Sequence, residues 1–190
     1  MHPAVFVDRD GVINRNRANY VLSWDQVEFL QGVFEALENL AGSHFRIVLV
    51  TNQSPVGRGL LSLHALSAIN AGIVQQIQLA GGRVDGIYVC PHRPDEGCDC
   101  RKPKPGMLLQ AAAELEIDLS RSYLIGDAVS DVEAALAAGC QPLLVLTGRG
   151  EGQVAELRAK NYEAVPVVAD LREAVAWIME RVLNQPTPCS

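Results

Sequence analysis

Short β-branched runs alternate with helix-period segments along nearly the whole chain, and this alternation limits the fold more than any other feature. Ala4–Val7, Arg46–Val50, Gly86–Cys90, Tyr123–Ile125, Pro142–Leu146 and the weaker Val165–Val168 read as strands. Gly32–Leu40, Ser62–Leu79, Gly106–Leu115, Ser130–Ala138 and Leu171–Leu183 read as helices, their apolar residues falling three and four apart. Arg46–Val50 is continuously apolar after its first residue, as expected of a parallel strand covered on both faces. The expected fold is therefore α/β: an open, mostly parallel sheet with helices on both sides. Polar residues gather just after the strands, at Asp8 and Asp10, Thr51–Ser54, Cys90–Lys104 and Asp127. In such sheets ligands bind outside the carboxyl ends of the strands, so the chemistry is expected along that one edge.

A chain of 190 residues suits one domain, read here as 1–184 with a loose polar tail at 185–190. With hydrophobic residues at 48% it is too apolar for disorder, and it has no apolar run near the ~20 residues of a membrane span. The first residues show no charged-then-apolar leader, so a cytoplasmic location and no membrane association are expected. A net charge of −6 argues against a nucleic-acid partner.

Asp8-Arg9-Asp10-Gly11 puts two carboxylates two residues apart at a strand end, where both can face one side. Such a pair repels itself unless it has a cation or a shared proton. With Mg²⁺ present, one carboxylate can ligate while the other handles a proton. By itself the pair could also be two solvated loop residues. Thr51 offers a hydroxyl to an anion, although a threonine often just ends a strand. Lys102, flanked by Arg101 and Pro103, is a held point charge or a basic loop residue. Asp127 follows Gly126, with Asp131 one helical turn on; the spacing suits a metal ligand and its support, or a residue simply favoured by the helix dipole.

Cys90 and His92, then Cys98 and Cys100, form two ligand pairs. Three thiolates and one imidazole make a complete tetrahedral zinc set with no open position for catalysis. A Cys98–Cys100 disulfide would close a tiny strained ring, and free thiols leave the histidine unexplained. Five cysteines with three in one cluster fit a metal site in a reducing compartment better than a disulfide framework.

The order Asp-x-Asp, Thr, Lys and Gly-Asp, each after a strand or before a helix, resembles the four motifs of the haloacid dehalogenase superfamily of phosphatases. The strings Asp8–Asn14, Thr51–Ser54 and Cys98–Pro103 are similar to its histidinol-phosphate and heptose-bisphosphate phosphatase branch, over about Ala4 to Gly150. The resemblance implies a Rossmann-like, capless domain with a zinc-binding loop. It implies catalysis by Asp8 as nucleophile, Asp10 as acid and base, and Thr51 and Lys102 as phosphoryl holders. It further implies Mg²⁺ on the Asp8 side chain, the Asp10 carbonyl and Asp127, and zinc on Cys90, His92, Cys98 and Cys100 to hold the Arg101–Lys102 loop. Substrate contacts are expected from Arg17, Tyr20, Asn52, Gln53, Ser54, Arg58 and Arg101. The implied substrate is a small phosphorylated sugar, a heptose 1,7-bisphosphate losing its 7-phosphate, and the implied state is a monomer. Histidinol phosphate is the alternative substrate. Ala128 stands where the heptose phosphatases usually have Lys after Gly-Asp.

A phospho-receiver signalling domain would also use Mg²⁺, an acceptor aspartate, a Thr and a Lys on a parallel sheet. It would not need Asp10 two residues past the acceptor, nor the zinc set.

Overall fold

The computed structural model describes residues 1–183, so the expected tail at 185–190 lies outside the described residues. Six strands form one parallel sheet: β1 (Ala4–Val7), β2 (Arg46–Asn52), β3 (Gly86–Cys90), β4 (Tyr123–Gly126), β5 (Gln141–Val145) and β6 (Val167–Val168), in the order β3-β2-β1-β4-β5-β6. The helices are α1 (Val33–Ala41), α2 (Ser54–Gly57), α3 (Leu63–Leu79), α4 (Gly106–Leu115), α5 (Val129–Ala138), α6 (Gly150–Ala159) and α7 (Leu171–Leu183).

Alternate strand residues point to opposite faces, and this divides the core in two. Val5, Val7, Ile47, Leu49, Ile125 and Val145 meet Leu37 and Leu40 of α1, Ile69, Ile73 and Ile77 of α3, and Val175 and Ile178 of α7. Ala4, Phe6, Val48, Val50 and Leu124 meet Met107, Leu108 and Ala111 of α4 and Ala134 and Ala135 of α5. Each fully buried Ile or Leu contributes about 1.5–3 kcal/mol. A smaller cluster of Val129, Val132, Leu144 and Leu157 seats α6 beside α5.

Beyond one-residue shifts at element ends, β6 spans only Val167–Val168 of the expected Val165–Val168, the short α2 was not expected, and two further elements differ. β2 runs two residues past Val50, because Thr51 and Asn52 keep pairing with Val89 and Cys90 of β3. Helix α6 was not anticipated. Its ten residues GEGQVAELRA include two glycines, and only Val154 and Leu157 pack inward, so it lacks an apolar stripe. Tertiary packing forms it rather than pattern. No described helix is long and apolar enough to cross a membrane.

The strand order reverses between β1 and β4, since the chain builds outward from β1 first one way and then the other. An open crevice forms at the carboxyl ends of strands at such a switch point.

Candidate active site

The carboxyl ends of β1, β2 and β4 and the loop between β3 and α4 enclose a cleft of about 260 Å³. Asp8, Asp10, Thr51, Lys102 and Asp131 line it, with Asn16, Tyr20, Asn52, Ser54, Arg101, Ser130 and Arg149 around them.

Asp8 directly follows β1, and its amide donates to the Ile125 carbonyl at 2.9 Å, which continues the sheet pairing by one residue. It is 4% exposed. Lys102 reaches it from the β3–α4 loop, Nζ donating to Asp8 Oδ1 at 2.7 Å and to the Val50 carbonyl at 3.1 Å. The same ammonium lies 2.6 Å from Asp131 Oδ1. Burial pushes the Asp8 carboxyl up to about 7; Lys102 opposes the rise, and Asp131 and Asp127 add to it. Burial alone would lower Lys102, but Asp131 and Asp8 together hold it above its ordinary value.

Asp127 follows β4 and is fully buried. Burial raises its carboxyl, and Arg149 opposes the rise. The Arg149 amide donates to Asp127 Oδ2 at 2.9 Å and its Nη2 to Oδ1 at 3.0 Å. Asp131 stands on the first turn of α5; its carboxylate accepts from the Ala128 backbone amide at 3.1 Å and its own amide donates to the Ala128 carbonyl at 3.0 Å. Oxygens of Asp8, Asp127 and Asp131 all lie within 4.8 Å of one another. Two glycines allow this approach: a side chain at Gly11, φ +100°, would strike the Asp127 carboxylate, and one at Gly126 would strike Asp131. Three buried carboxylates against Lys102 and the half-exposed Arg149 form a hard-oxygen set suited to a divalent cation.

The Asp10 carboxylate is held apart from that set. Oδ1 accepts from Asn14 Nδ2 at 2.8 Å and Arg9 Nη2 at 3.0 Å; Oδ2 accepts from Gln53 Nε2 at 2.6 Å and Arg9 Nη2 at 2.8 Å. The loop supports this arrangement, with the Gly11 amide donating to the Asn14 carbonyl at 2.7 Å. Gln53 also donates to Thr51 Oγ1 at 2.9 Å.

The Asn52 side chain locks the Lys102 backbone in both directions: Nδ2 donates to the Lys102 carbonyl and Oδ1 accepts from the Lys102 backbone amide, each at 3.1 Å. Ser54 and Tyr20 border the cleft. Gln53 is 2% exposed and sits behind the cleft wall. Arg58 is exposed past the end of α2, and Arg17 pairs with Glu28, so neither is brought to the cleft wall. Arg149, Asn16 and Ser130 are cleft residues that motif reading missed. For Arg149 the available signal was its place shortly after β5, the position relative to a strand that marked the other cleft residues.

The second cluster sits at the end of β3. Cys90 Sγ is 3.6 Å from both His92 Nδ1 and Cys98 Sγ, Cys98 is 3.6 Å from Cys100, and His92 Nδ1 is 3.2 Å from Cys100 Sγ. A tetrahedral ion with bonds of about 2.3 Å to sulfur and 2.0–2.1 Å to nitrogen requires edges of roughly 3.8 and 3.6 Å. The four donors thus lie within 4.8 Å of one another at spacings close to those edges, and this cluster can hold a metal. Burial pushes the Cys90 thiol up to about 12, so a thiolate there at neutral pH requires a cation. The cluster is tied to the cleft by Arg101, whose Nη1 donates to the His92 carbonyl at 3.3 Å.

A HAD-hydrolase-like family model matches residues 99–174. A Bordetella bronchiseptica protein named D-glycero-beta-D-manno-heptose-1,7-bisphosphate 7-phosphatase is 41% identical over 181 residues, 95% of this chain and 98% of its own. A Yersinia pestis protein of the same name is 38% identical over 192 residues, 97% of this chain and 93% of its own. The crystal structure of D,D-heptose 1,7-bisphosphate phosphatase from B. bronchiseptica, complexed with magnesium and phosphate, is similar at a TM-score of 0.88 and 37% identity. That likeness covers 94% of this chain and 99% of the other.

Proposed function

The chain belongs to the haloacid dehalogenase-like phosphatases, in the family of the heptose-1,7-bisphosphate 7-phosphatases, and from that premise we propose its substrate, its metals and the roles of its residues. The proposed reaction is hydrolysis of the 7-phosphate of D-glycero-β-D-manno-heptose 1,7-bisphosphate, leaving the anomeric phosphate in place. The observation that carries the reading is Asp8, buried at the floor of an open cleft and 2.7 Å from a buried lysine ammonium.

In the first step an Asp8 oxygen bonds to phosphorus as the P–O bond to C7 breaks, and Asp10 gives its proton to the departing alkoxide. In the second step water loses a proton to Asp10 and attacks phosphorus. The Asp8–phosphorus bond breaks, inorganic phosphate leaves and both carboxyls return to their starting state. Lys102 and the Thr51 hydroxyl hold the phosphoryl oxygens, which is most of what phosphoryl transfer asks of a protein. Asn52 positions Lys102, and Gln53 aligns Thr51 with Asp10. Arg101 and Tyr20, with Ser54, receive the sugar and its second phosphate, while Arg17 and Arg58 add positive potential outside the cleft.

Asp8 and Asp127 with the Asp10 carbonyl would hold Mg²⁺, and Asp131 orients Lys102 from the other side. When bound, the ion neutralises charge on the transferring phosphoryl group. Arg149 supplies a cation beside Asp127, where Ala128 offers none. Zinc is the metal proposed for Cys90, His92, Cys98 and Cys100, with a structural role: the set is closed, and the Arg101 tether passes its order to the cleft. The proposed setting is a reducing, cytoplasmic one, in keeping with cysteines gathered as metal ligands. A monomer is the proposed state.

Phosphorus NMR of the product tests the substrate. Loss of the C7 signal with the anomeric signal retained is expected. Loss of the anomeric signal, or faster turnover of histidinol phosphate in a parallel panel, would overturn the assignment.

A further inference from the structure

Arg9 lies between the two aspartates in sequence, yet it does not face the cleft. It is 1% exposed and is the largest fully buried side chain among the described residues. Its guanidinium meets Asp10 with one edge, Nε at 3.3 Å and Nη2 at 3.0 Å from Oδ1, and Nη2 at 2.8 Å from Oδ2. The remaining nitrogen, Nη1, donates to Asn70 Oδ1 at 2.9 Å. Asn70 is buried in α3, in the middle of a stripe otherwise made of Leu66, Ile69, Ile73 and Ile77. A polar side chain in an apolar stripe is unfavourable unless its bonds are made, and the bond made here goes to Arg9.

A guanidinium is planar, so fixing Nη1 on one side and the Nε–Nη2 edge on the other removes its freedom to turn. The Asp10 carboxylate, which Asn14 and Gln53 also hold, thus has its Arg9 edge fixed by a residue 61 positions past Arg9, on a helix that the catalytic motifs do not include. We propose that Asn70 is a positioning residue for the proton-transfer step: through Arg9 it sets the direction in which Asp10 presents its carboxyl to the leaving oxygen. This rests on the reading of Asp10 as acid and base.

The test compares two leaving groups. Asn70→Leu removes the acceptor at similar volume, and Asn70→Asp keeps an acceptor at the same reach. On the heptose bisphosphate, whose C7 alkoxide needs a proton, Asn70→Leu is expected to lower kcat about 10-fold or more with KM within about 2-fold. With enzyme in excess over p-nitrophenyl phosphate, nitrophenolate leaves without a proton, so its release should slow by no more than about 2-fold. Asn70→Asp should recover most of the lost kcat. Should Asn70→Leu fail to fold, Asn70→Ser, which withdraws the acceptor by shortening it, serves in the same comparison. Equal losses on both substrates, an unchanged kcat on the bisphosphate, or no recovery in Asn70→Asp would each overturn the inference. Asp10→Asn is assayed alongside. If it still turns over the bisphosphate, the acid–base reading itself falls. If it is inactive while the Asn70 variants show no dependence on leaving group, only the positioning role falls.

Discussion

Replacing Lys102 by methionine keeps most of the side-chain volume and removes one buried charge that two buried carboxylates share. In the metal-free protein Asp8 and Asp131 are then left facing Asp127, with only the half-exposed Arg149 nearby. Breaking a buried ion pair by removing one partner costs about 3–5 kcal/mol, because the survivor stays buried without compensation. At about 2–4 °C per kcal/mol for a chain of this size, the melting temperature should fall by roughly 6–20 °C. The sign with pH follows from the carboxyl. Lys102 holds the Asp8 carboxyl down, so its removal sends a value already near 7 higher still. A carboxyl whose folded pKa is raised takes up a proton on folding, so stability falls as pH climbs from about 4 through that pKa. The gap between variant and parent should therefore be widest near pH 8 and narrow near pH 5, where Asp8 is protonated in both. Added Mg²⁺ should stabilise the variant more than the parent, by supplying positive charge to the Asp8 carboxylate that Lys102 no longer neutralises. Calorimetric melts at three pH values, with EDTA or with Mg²⁺, read all of this, and phosphate release in the same samples should be down about 100-fold or more. A metal-free variant that melts within about 1 °C of the parent at pH 8 would refute the reasoning, because the ammonium would then not be what keeps two buried carboxylates charged.

Asp8→Asn should abolish turnover while the sheet melts normally, since the residue stands just past β1 and an amide cannot attack phosphorus; appreciable phosphate release would remove Asp8 from its role. Asp10→Asn should lose about 10²–10⁴-fold in kcat on the sugar phosphate, and near-normal rates would assign the proton to another group. The affinity for Mg²⁺, read by titration calorimetry in parent protein, should rise with pH up to about 7, because burial leaves Asp8 protonated below that value and the ion must displace the proton; an affinity flat from pH 5 to 8 would contradict the shared use of that carboxylate. Elemental analysis is expected to find about one zinc per chain in the parent and none in Cys98→Ala, which should also raise KM and lower kcat as the Arg101–Lys102 loop loosens. Full activity in a zinc-free protein would leave the cluster with no part in the cleft.

Much of this arrangement was legible before any coordinates, for a physical reason. A strand buried on both faces reads as a continuous apolar run, so the polar residue that ends it stands out, as Asp8, Thr51 and Asp127 do. The Cys90, His92, Cys98 and Cys100 set stands out because sulfur and imidazole at close spacing have few uses besides holding a metal. What stayed hidden are the relations made by reach across the fold. That Asn52 clasps the Lys102 backbone, that Gln53 turns inward, and that Arg9 points into the core are settled by side-chain direction at the end of a twisted sheet. Arg149 was missed because its partner Asp127 is 22 residues away and no local pattern links them. Helix α6, with its glycines and two inward apolar residues, shows how weak the periodic signal becomes when a helix packs at the margin of the sheet.

The place of β1 in the sheet bears on how the protein is made. Of the six described strands it leaves the ribosome first, and it ends in the middle, between β2 and β4. One flank can be covered once Arg46–Asn52 has emerged. The other must wait for Tyr123–Gly126, and the Ala4 amide finds its partner on Ser122, 118 residues on. For much of synthesis, then, the nascent chain carries an apolar strand with one open hydrogen-bonding edge, the form of surface that pairs with stray strands. Translation that pauses between β3 and β4 would lengthen that exposure, and one that runs quickly through them would close it.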